Sequence, residues 1–241
     1  MSAAAPDPAI DAAFEASWPA AEYAQAGPFR IGRGLGGGKR VSSARLIAPD
    51  WTGADLDQAM RVHRNWDQPA IFRVADTQPM LAHALLARGF RDCDPTLLMS
   101  APITALTDLP VPPVTSFALW PPLAIQRELW TEQDIGPERQ AVMARVAAPK
   151  AALLGRIRDR AAAVAFVAAT NGIAVLHALE VLPAMRRHGL AGWTLREAAF
   201  WGQAQGAATM LLAVTAENAG AIALYRGLGF TEIAGYRYYQ P

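Results

Sequence analysis

The sequence predicts a fold of the α/β or α+β class, built on a mixed sheet. The first observation is that three strand-like apolar runs in the second half are followed by helix, strand, helix and strand in alternation. The second is that apolar residue types make up 52% of the 241 residues and charged types 18%. So much apolar surface is incompatible with intrinsic disorder unless most of it is buried in a core.

The first half is expected to be a smaller α+β domain covering residues 1–112. Proline density peaks at 109–114, where missing amide donors and fixed φ resist both helix and central strand, so a domain junction is expected there. Apolar spacing, glycine-dense turns and a stop at Gly89 predict the elements of this half in order: a helix over 8–25, strands over 28–31, 40–47 and 70–74, and a helix over 78–88.

The second half, residues 113–241, has a clearer pattern. Asn171-Gly172 between apolar runs is a strong hairpin signal, because both residue types accept positive φ. Helical spacing, apolar runs and glycine stops predict the elements in order: a helix over 137–146, strands over 151–158, 161–170 and 173–181, a helix over 190–205, a strand over 210–214, a helix over 218–228 and a strand region over 230–239.

Composition and charge exclude several classes of protein. The net charge of +1 and pI of about 8.0 favour neither nucleic acid nor an anionic membrane as partner. Cys93 is the sole cysteine, which excludes an internal disulfide and a multi-thiolate metal site and fits a reducing cytosol. The first residues lack the features of a secretory signal, and the longest apolar run, 161–169, is far short of the roughly 20 residues that span a bilayer. We therefore expect a soluble cytoplasmic protein without a metal.

A candidate phosphate-binding motif lies between a predicted strand and a predicted helix. Small residues at three of its positions allow close approach of a ligand, unpaired amides at the helix start attract anions, and two arginines add full positive charge. The alternative is an ordinary strand-to-helix turn with two solvated arginines, and the heptapeptide alone leaves both open. The candidate ligands are Arg186, Arg187, His188, Gly189, Leu190, Ala191 and Gly192.

Two motifs together resemble a known family. Arg186-x-x-Gly189-x-Ala191 and Asn218-x-x-Ala221-x-x-Leu224-Tyr225-x-x-x-Gly229-Phe230 occur in the order typical of the GNAT superfamily of acyl-CoA-dependent N-acetyltransferases. The resemblance covers about residues 117–241. Ala191 departs from it, because glycine is more common there.

The resemblance implies a mostly antiparallel central sheet flanked by helices and acetyl-CoA (coenzyme A) as cosubstrate. It implies that the first motif binds the coenzyme A pyrophosphate, that Asn218 contacts the pantetheine arm and that Tyr225 lies near the thioester sulfur. It also implies that backbone amides near Leu179 and Val181 hold the pantetheine arm and polarise the thioester carbonyl.

Tyr225 fits the chemistry of the leaving group. Acetyl transfer passes through an oxyanion and expels a thiolate, which needs a proton. A phenol with a pKa near 10 lies within roughly two units of a thiol at about 8.5, so proton transfer carries little penalty. The alternative is a core tyrosine on an amphipathic helix.

The acceptor amine must lose a proton, which for a lysine-like amine costs roughly 4 to 5 kcal/mol at pH 7. His177 is the first candidate base, because strand alternation places it on one face with Leu179 and Val181 and it titrates in the useful range. Glu180 is the second candidate, on the opposite face unless the strand is bulged. The alternative is that His177 is a core histidine and water removes the proton.

Two patterns in the first half resemble the motifs of the second. The segment 32–39 contains Gly-x-Gly-x-x-Gly but runs into a strand-like stretch, so it is neither a dinucleotide loop nor a Walker loop. A flexible hairpin is the favoured interpretation, and a loop that borders the acceptor site is the alternative.

The segment 82–90 echoes 221–230, with Leu85 where Tyr225 stands. We infer, as a hypothesis, that the first half is a degenerate GNAT-like unit that packs beside the second and shapes the acceptor pocket. The alternative is that any helix that ends in glycine before an aromatic residue looks alike.

The sequence thus predicts an enzyme that moves an acetyl group from acetyl-CoA to a primary amine of a small molecule or peptide, by direct attack on the thioester. The alternative is a coenzyme A-binding pseudoenzyme or regulatory module that does no chemistry. The acceptor stays unidentified, and the oligomeric state stays open, a homodimer included.

Overall fold

The computed structural model describes residues 8–241, and within them eleven strands form one continuous sheet. The sheet order is β1-β2-β3-β4-β11-β5-β10-β9-β8-β7-β6. The strands are β1 (Glu22–Ala26), β2 (Phe29–Arg33), β3 (Ser43–Leu46), β4 (Ile71–Ala75), β5 (Arg91–Pro102), β6 (Ser116–Leu119), β7 (Lys150–Ile157), β8 (Arg160–Thr170), β9 (Ile173–Val181), β10 (Thr209–Thr215) and β11 (Thr231–Gln240). The α-helices are α1 (Pro8–Ser17), α2 (Gly53–Asn65), α3 (Pro79–Leu86), α4 (Ala124–Glu132), α5 (Pro137–Arg145), α6 (Leu190–Ala204) and α7 (Ala219–Gly227).

From residue 137 onward the second half folds as its sequence predicts, whereas β6 and α4 before it were not predicted. Strands β7, β8 and β9 form an antiparallel meander, and Asn171 and Gly172 turn β8 into β9 with φ of 47° and 78°. Helix α6 then leads to β10, which pairs in parallel with β9, and α7 leads to β11. The predicted mixed and mostly antiparallel sheet is therefore confirmed.

The two halves repeat one topology. The series β3-α2-β4-α3-β5 and the series β9-α6-β10-α7-β11 each contain a parallel strand pair joined by a helix, followed by a second helix and a last strand. Strand β11 lies between β4 and β5, and β5 lies between β11 and β10, with antiparallel pairing throughout. Each half therefore inserts its last strand into the sheet of the other.

The sequence echo between the halves has a structural counterpart. Gly89 and Gly229 follow α3 and α7 with φ of 83° and 87°. The amide of Phe90 donates to the carbonyl of Leu85 at 3.2 Å, and the amide of Phe230 donates to that of Tyr225 at 3.0 Å. Leu85 and Tyr225 thus occupy the same position in their helices.

Both faces of the sheet are covered. One large core cluster includes apolar residues of α6, α7 and the strands beneath them, and another packs α4 and α5 against β7 and β8 and includes the buried Trp130 and Phe166. A third packs α2 and α3 against the first-half strands. Within residues 8–241 every helix is too short or too polar to cross a membrane, and no group of three or more His, Cys, Asp or Glu side chains is placed to hold a metal ion.

The first helix differs from its prediction. It ends at Ser17 instead of continuing to residue 25, because Trp18 precedes Pro19, and a residue before proline is disfavoured in helical conformation. The residues after it form the edge strand β1, which pairs with β2. Helix α2 and the central strand β5 are elements that the sequence patterns did not predict.

Candidate active site

A cavity of about 410 Å³ opens where two central strands separate. Strands β9 and β10 pair in parallel only as far as Leu176 and Leu212, and beyond these residues they diverge. The cavity is lined by 177–180 of β9 and 212–215 of β10, and by Asn218 and Tyr225 from α7. The separation leaves the edge of β9 that faces β10 without a strand partner, so an elongated ligand can bind there.

Strand β9 carries a bulge at this point. Ala178 has a φ of 52°, and the register moves from His177 opposite Phe166 to Glu180 opposite Val164. Three steps along β9 therefore match two along β8, which reverses the alternation of side chains.

The bulge corrects one sequence prediction. His177 and Glu180 share a face, whereas Val181 pairs with Ala163 on the opposite face and Leu179 packs against the core beneath α6 and α7. The prediction that His177 shares a face with Leu179 and Val181 was therefore wrong. Glu180 was expected on the face of His177 only if the strand were bulged, and the bulge at Ala178 places it there.

The start of α6 lies beyond the carboxyl end of β9. Gly189 is the residue before the helix and adopts a left-handed φ of 78°, and Arg187 also has a positive φ of 68°. Within residues 8–241 the amides of Leu190, Ala191 and Gly192 donate no backbone hydrogen bond. Free amides at the positive end of a 15-residue helix form an anion-binding site.

The basic residues of this loop divide into two groups. The Arg186 Nε donates to the carbonyl of Val181 at 3.0 Å, so this side chain ties the loop back to β9. Arg187 forms no ion pair in the described part of the chain and is exposed. His188 Nδ1 donates to the Arg186 carbonyl at 2.8 Å, and Arg158 approaches its Nε2 at 3.4 Å. Arg187 is therefore the cation of the loop that is free for a phosphate.

Tyr225 is buried at the wall of the cavity. Its ring packs against Phe230 at a centroid distance of 5.7 Å. Burial, with the nearby charge of Glu180, raises the pKa of the Tyr225 phenol to about 12. The phenol is therefore a weaker acid than the unperturbed side chain.

Glu180 is half-buried on the same cavity. Burial raises the pKa of its carboxyl, and the charges of Arg186 and Arg139 partly offset that effect. A carboxylate with a raised pKa that faces a cavity is suited to accept a proton.

His177 has both ring nitrogens engaged. Arg40 approaches its Nδ1 at 3.0 Å, and since a guanidinium can only donate, Nδ1 accepts. Its Nε2 then carries the proton and donates to the Ser17 hydroxyl at 2.9 Å, which donates in turn to the carbonyl of Phe14. Burial and the charge of Arg40 lower the pKa of His177 well below its usual value.

The glycine-rich segment of the first half borders this cavity. Gly37, Gly38, Lys39 and Arg40 all line it. The segment joins β2 to β3, which pair as an antiparallel hairpin, as the favoured interpretation predicted. Sequence reasoning missed Arg40, Tyr236 and Tyr238 as cavity residues. Tyr236 and Tyr238 reach the cavity because β11 inserts beside β5, and Arg40 reaches it from the segment between β2 and β3.

The corresponding site of the first half is blocked. At the start of α2 the Thr52 side chain accepts from the amide of Asp55, and the Asp55 carboxylate accepts from the amide of Thr52 at 2.8 Å. This capping box satisfies amides at the helix start and adds a negative charge there. Leu85 replaces the phenol, so the first half lacks both parts of the site.

The structure thus has a cavity lined by Asn218 and Tyr225 at the gap between β9 and β10, and free amides at the start of α6, which follows β9 in the chain. Residues 119–230 match the model of the Acetyltransferase (GNAT) family. This segment belongs to that family, and the protein is an acyltransferase. Enzymes of the family generally use acetyl-CoA and act on small-molecule or peptide acceptors.

Solved structures show the same fold. A GCN5-related N-acetyltransferase from Kribbella flavida has a TM-score of 0.69 at 22% identity, over 96% of this chain and 94% of its own. A functionally unknown conserved protein from Staphylococcus epidermidis has a TM-score of 0.69 at 11% identity, over 92% and 94%. A tandem GNAT protein from the clavulanic acid biosynthesis pathway has a TM-score of 0.62 at 15% identity, over 99% and 89%. A search of curated proteins found no match.

Proposed function

We propose that the protein transfers the acetyl group of acetyl-CoA to a primary amine by direct attack of the amine on the thioester. The observation that carries the proposal is the separation of β9 and β10, which opens a cavity beside the phenol of Tyr225. We infer a path for the ligand that begins at the free amides of 190–192, follows this gap and ends at that phenol. This path suits a ligand with a diphosphate at one end, a flexible arm and a thioester at the other.

The donor would bind along this path in three parts. The diphosphate accepts hydrogen bonds from the amides at the start of α6 and pairs with Arg187. The pantetheine arm adds to the unpaired edge of β9 near Leu179 and Val181. Asn218, whose side chain accepts from the amide of Ala221 and caps α7, lies on the cavity where that arm passes.

Glu180 is the base we assign. As the amine nitrogen forms its bond to the carbonyl carbon, it must lose one proton, and the Glu180 carboxylate faces the same cavity. His177 was the first candidate from the sequence, but the one nitrogen that could accept a proton already accepts from Arg40. We therefore assign His177 the role of positioning Arg40. Glu180 returns its proton to water after each turnover.

Tyr225 would stabilise the thiolate that leaves when the carbon–sulfur bond breaks. With a phenol pKa of about 12, complete proton transfer to a thiolate whose thiol pKa is about 8.5 is uphill by roughly 5 kcal/mol. A hydrogen bond donated by the phenol carries no such penalty. The thiolate then takes its proton from solvent as coenzyme A departs.

The first half would be a degenerate GNAT-like unit within residues 1–112 that does no chemistry. Its capped α2 and its Leu85 support this, as does the topology that it shares with 113–241. It contributes the segment 37–40 to the cavity wall, on the side where the acceptor would bind.

Two measurements test the proposal. Calorimetry with acetyl-CoA should detect binding, and a panel of amines should release free thiol from acetyl-CoA. No detectable binding of acetyl-CoA would refute the site. Binding without thiol release by any amine would favour the alternative, a coenzyme A-binding module without transferase activity, for which the retained Tyr225 has no use.

A further inference from the structure

Arg40 is a cation without an anionic partner at the inner end of the cavity. In the described part of the chain it forms no ion pair, and its Nε is buried without a hydrogen-bond partner. Nearby arginines are satisfied: Arg45 pairs with Glu15 at 2.8 Å, and Arg73 pairs with Asp11 at 3.0 Å. A buried charge of this kind is costly unless something else pairs with it.

The other groups that face Arg40 are an imidazole and two phenols, with no carboxylate among them in the described part of the chain. The His177 ring is held neutral, and the hydroxyls of Tyr236 and Tyr238 lie 3.4 Å from each other beside the guanidinium. Lys39, the preceding residue, already forms an ion pair with Asp94 at 2.6 Å. The cavity wall therefore carries one guanidinium, held by His177 and the two tyrosine hydroxyls, that no carboxylate of residues 8–241 neutralises.

The position of Arg40 separates it from the donor path. It comes from the segment between β2 and β3, whereas the diphosphate site is at the start of α6 and the phenol is on α7. Glu180 shares a strand face with His177, which contacts Arg40. A molecule whose amine is held near Glu180 would thus extend its far end toward Arg40.

We propose that the acceptor is an amino carboxylate, an amine that also bears a carboxyl group, and that Arg40 binds that carboxylate. This inference rests on the proposed function and names its substrate class. A guanidinium presents donors in a fork that matches the two oxygens of a carboxylate, so it gives direction as well as charge. His177 serves as a positioning residue, because its Nδ1 holds the guanidinium in place.

The test compares matched acceptors. The panel contains the common L-amino acids and ω-amino acids, each with its primary amide, at equal concentrations of free amine. The readout is the ratio of kcat/KM for the acid to that for the amide. The wild type should prefer the acid by about 10- to 100-fold, mainly through KM, as expected for a charge-assisted pair.

Variants assign that preference to Arg40. Arg40→Met should bring the ratio close to one, and Arg40→Lys should keep part of it. Arg45→Met is the matched control, because Arg45 is also half-buried but already has carboxylate partners, so its ratio should equal that of the wild type. Thermal unfolding checks that each variant is folded. If Arg40→Met does not fold, Arg40→Lys takes its place in the comparison.

Binding provides a second readout. In the presence of coenzyme A, the N-acetylated acids should bind more tightly than the N-acetylated amides, and Arg40→Lys should reduce the difference. Equal kcat/KM or equal binding for acids and amides in the wild type would overturn the assignment of Arg40. Failure to bind acetyl-CoA would instead overturn the proposed function, so the two failures are distinguishable.

Discussion

Replacement of Tyr225 by phenylalanine removes one oxygen and keeps the ring that packs against Phe230. If the phenol donates a hydrogen bond to the leaving thiolate, its loss costs about 1.5 to 3 kcal/mol in the transition state, as for other bonds to charged groups. At 1.36 kcal/mol per tenfold change, kcat should fall by roughly 10- to 150-fold. The dissociation constant of acetyl-CoA should stay within about twofold, since a thioester sulfur is a weak acceptor.

The assay is steady-state thiol release with acetyl-CoA, combined with calorimetry of donor binding. Tyr239→Phe is the control, since Tyr239 is buried in the first-half core and does not line the cavity. A loss below about threefold in Tyr225→Phe would show that the phenol does not contact the sulfur. Because burial raises the pKa of Tyr225 to about 12, the phenol stays protonated up to pH 10. An alkaline fall in kcat below that pH that vanishes in Tyr225→Phe would contradict the raised pKa.

Three further predictions concern the base, the loop and stability. Glu180→Gln should lower kcat/KM by about 100-fold or more and abolish the acidic limb of the pH profile, in which activity falls as Glu180 gains its proton; a limb that persists would exclude it as the base. Gly189→Ala should lower stability by about 1 to 2 kcal/mol because its φ is left-handed, and should weaken acetyl-CoA binding, whereas Gly227→Ala inside α7 should not destabilise. Burial lowers the pKa of His63 to about 4, below its unfolded value of 6.5, so the unfolded chain binds its proton first as the pH falls. The free energy of unfolding should be steady above pH 6.5 and should decrease by about 3 kcal/mol toward pH 4, and urea titrations that show no decrease would contradict this.

The sequence was informative wherever structure depends on neighbours along the chain. Asn171-Gly172 predicted its hairpin, and Gly89 and Gly206 predicted helix stops, because few residue types accept a positive φ. Helix α2 was also within reach, since Thr52 and Asp55 form a capping box ahead of an amphipathic segment. Strand β5 was not, because its first residues are polar and its central place depends on strands more than 100 residues away.

The site was predictable in part for the same reason. Tyr225, Asn218 and the segment 186–192 lie in contiguous motifs; Tyr225 and Asn218 line the cavity, and the amides of 190–192 are free at the start of α6. The bulge at Ala178 could not be predicted from the sequence, because alanine rarely adopts a left-handed backbone conformation. The role of Arg40 could not be predicted, because it depends on the lack of a carboxylate partner within residues 8–241 of the folded protein. The sequence around Arg40 does not show which side chains the fold places beside it.

The crossed placement of β5 and β11 makes the two halves mutually dependent. A cut near residue 112 would leave each fragment with a terminal strand stripped of both flanking partners. Bare edges of that kind invite association with other chains. The first half cannot therefore be discarded as a vestige, since the sheet of the second half is completed by a strand that its own sequence does not encode.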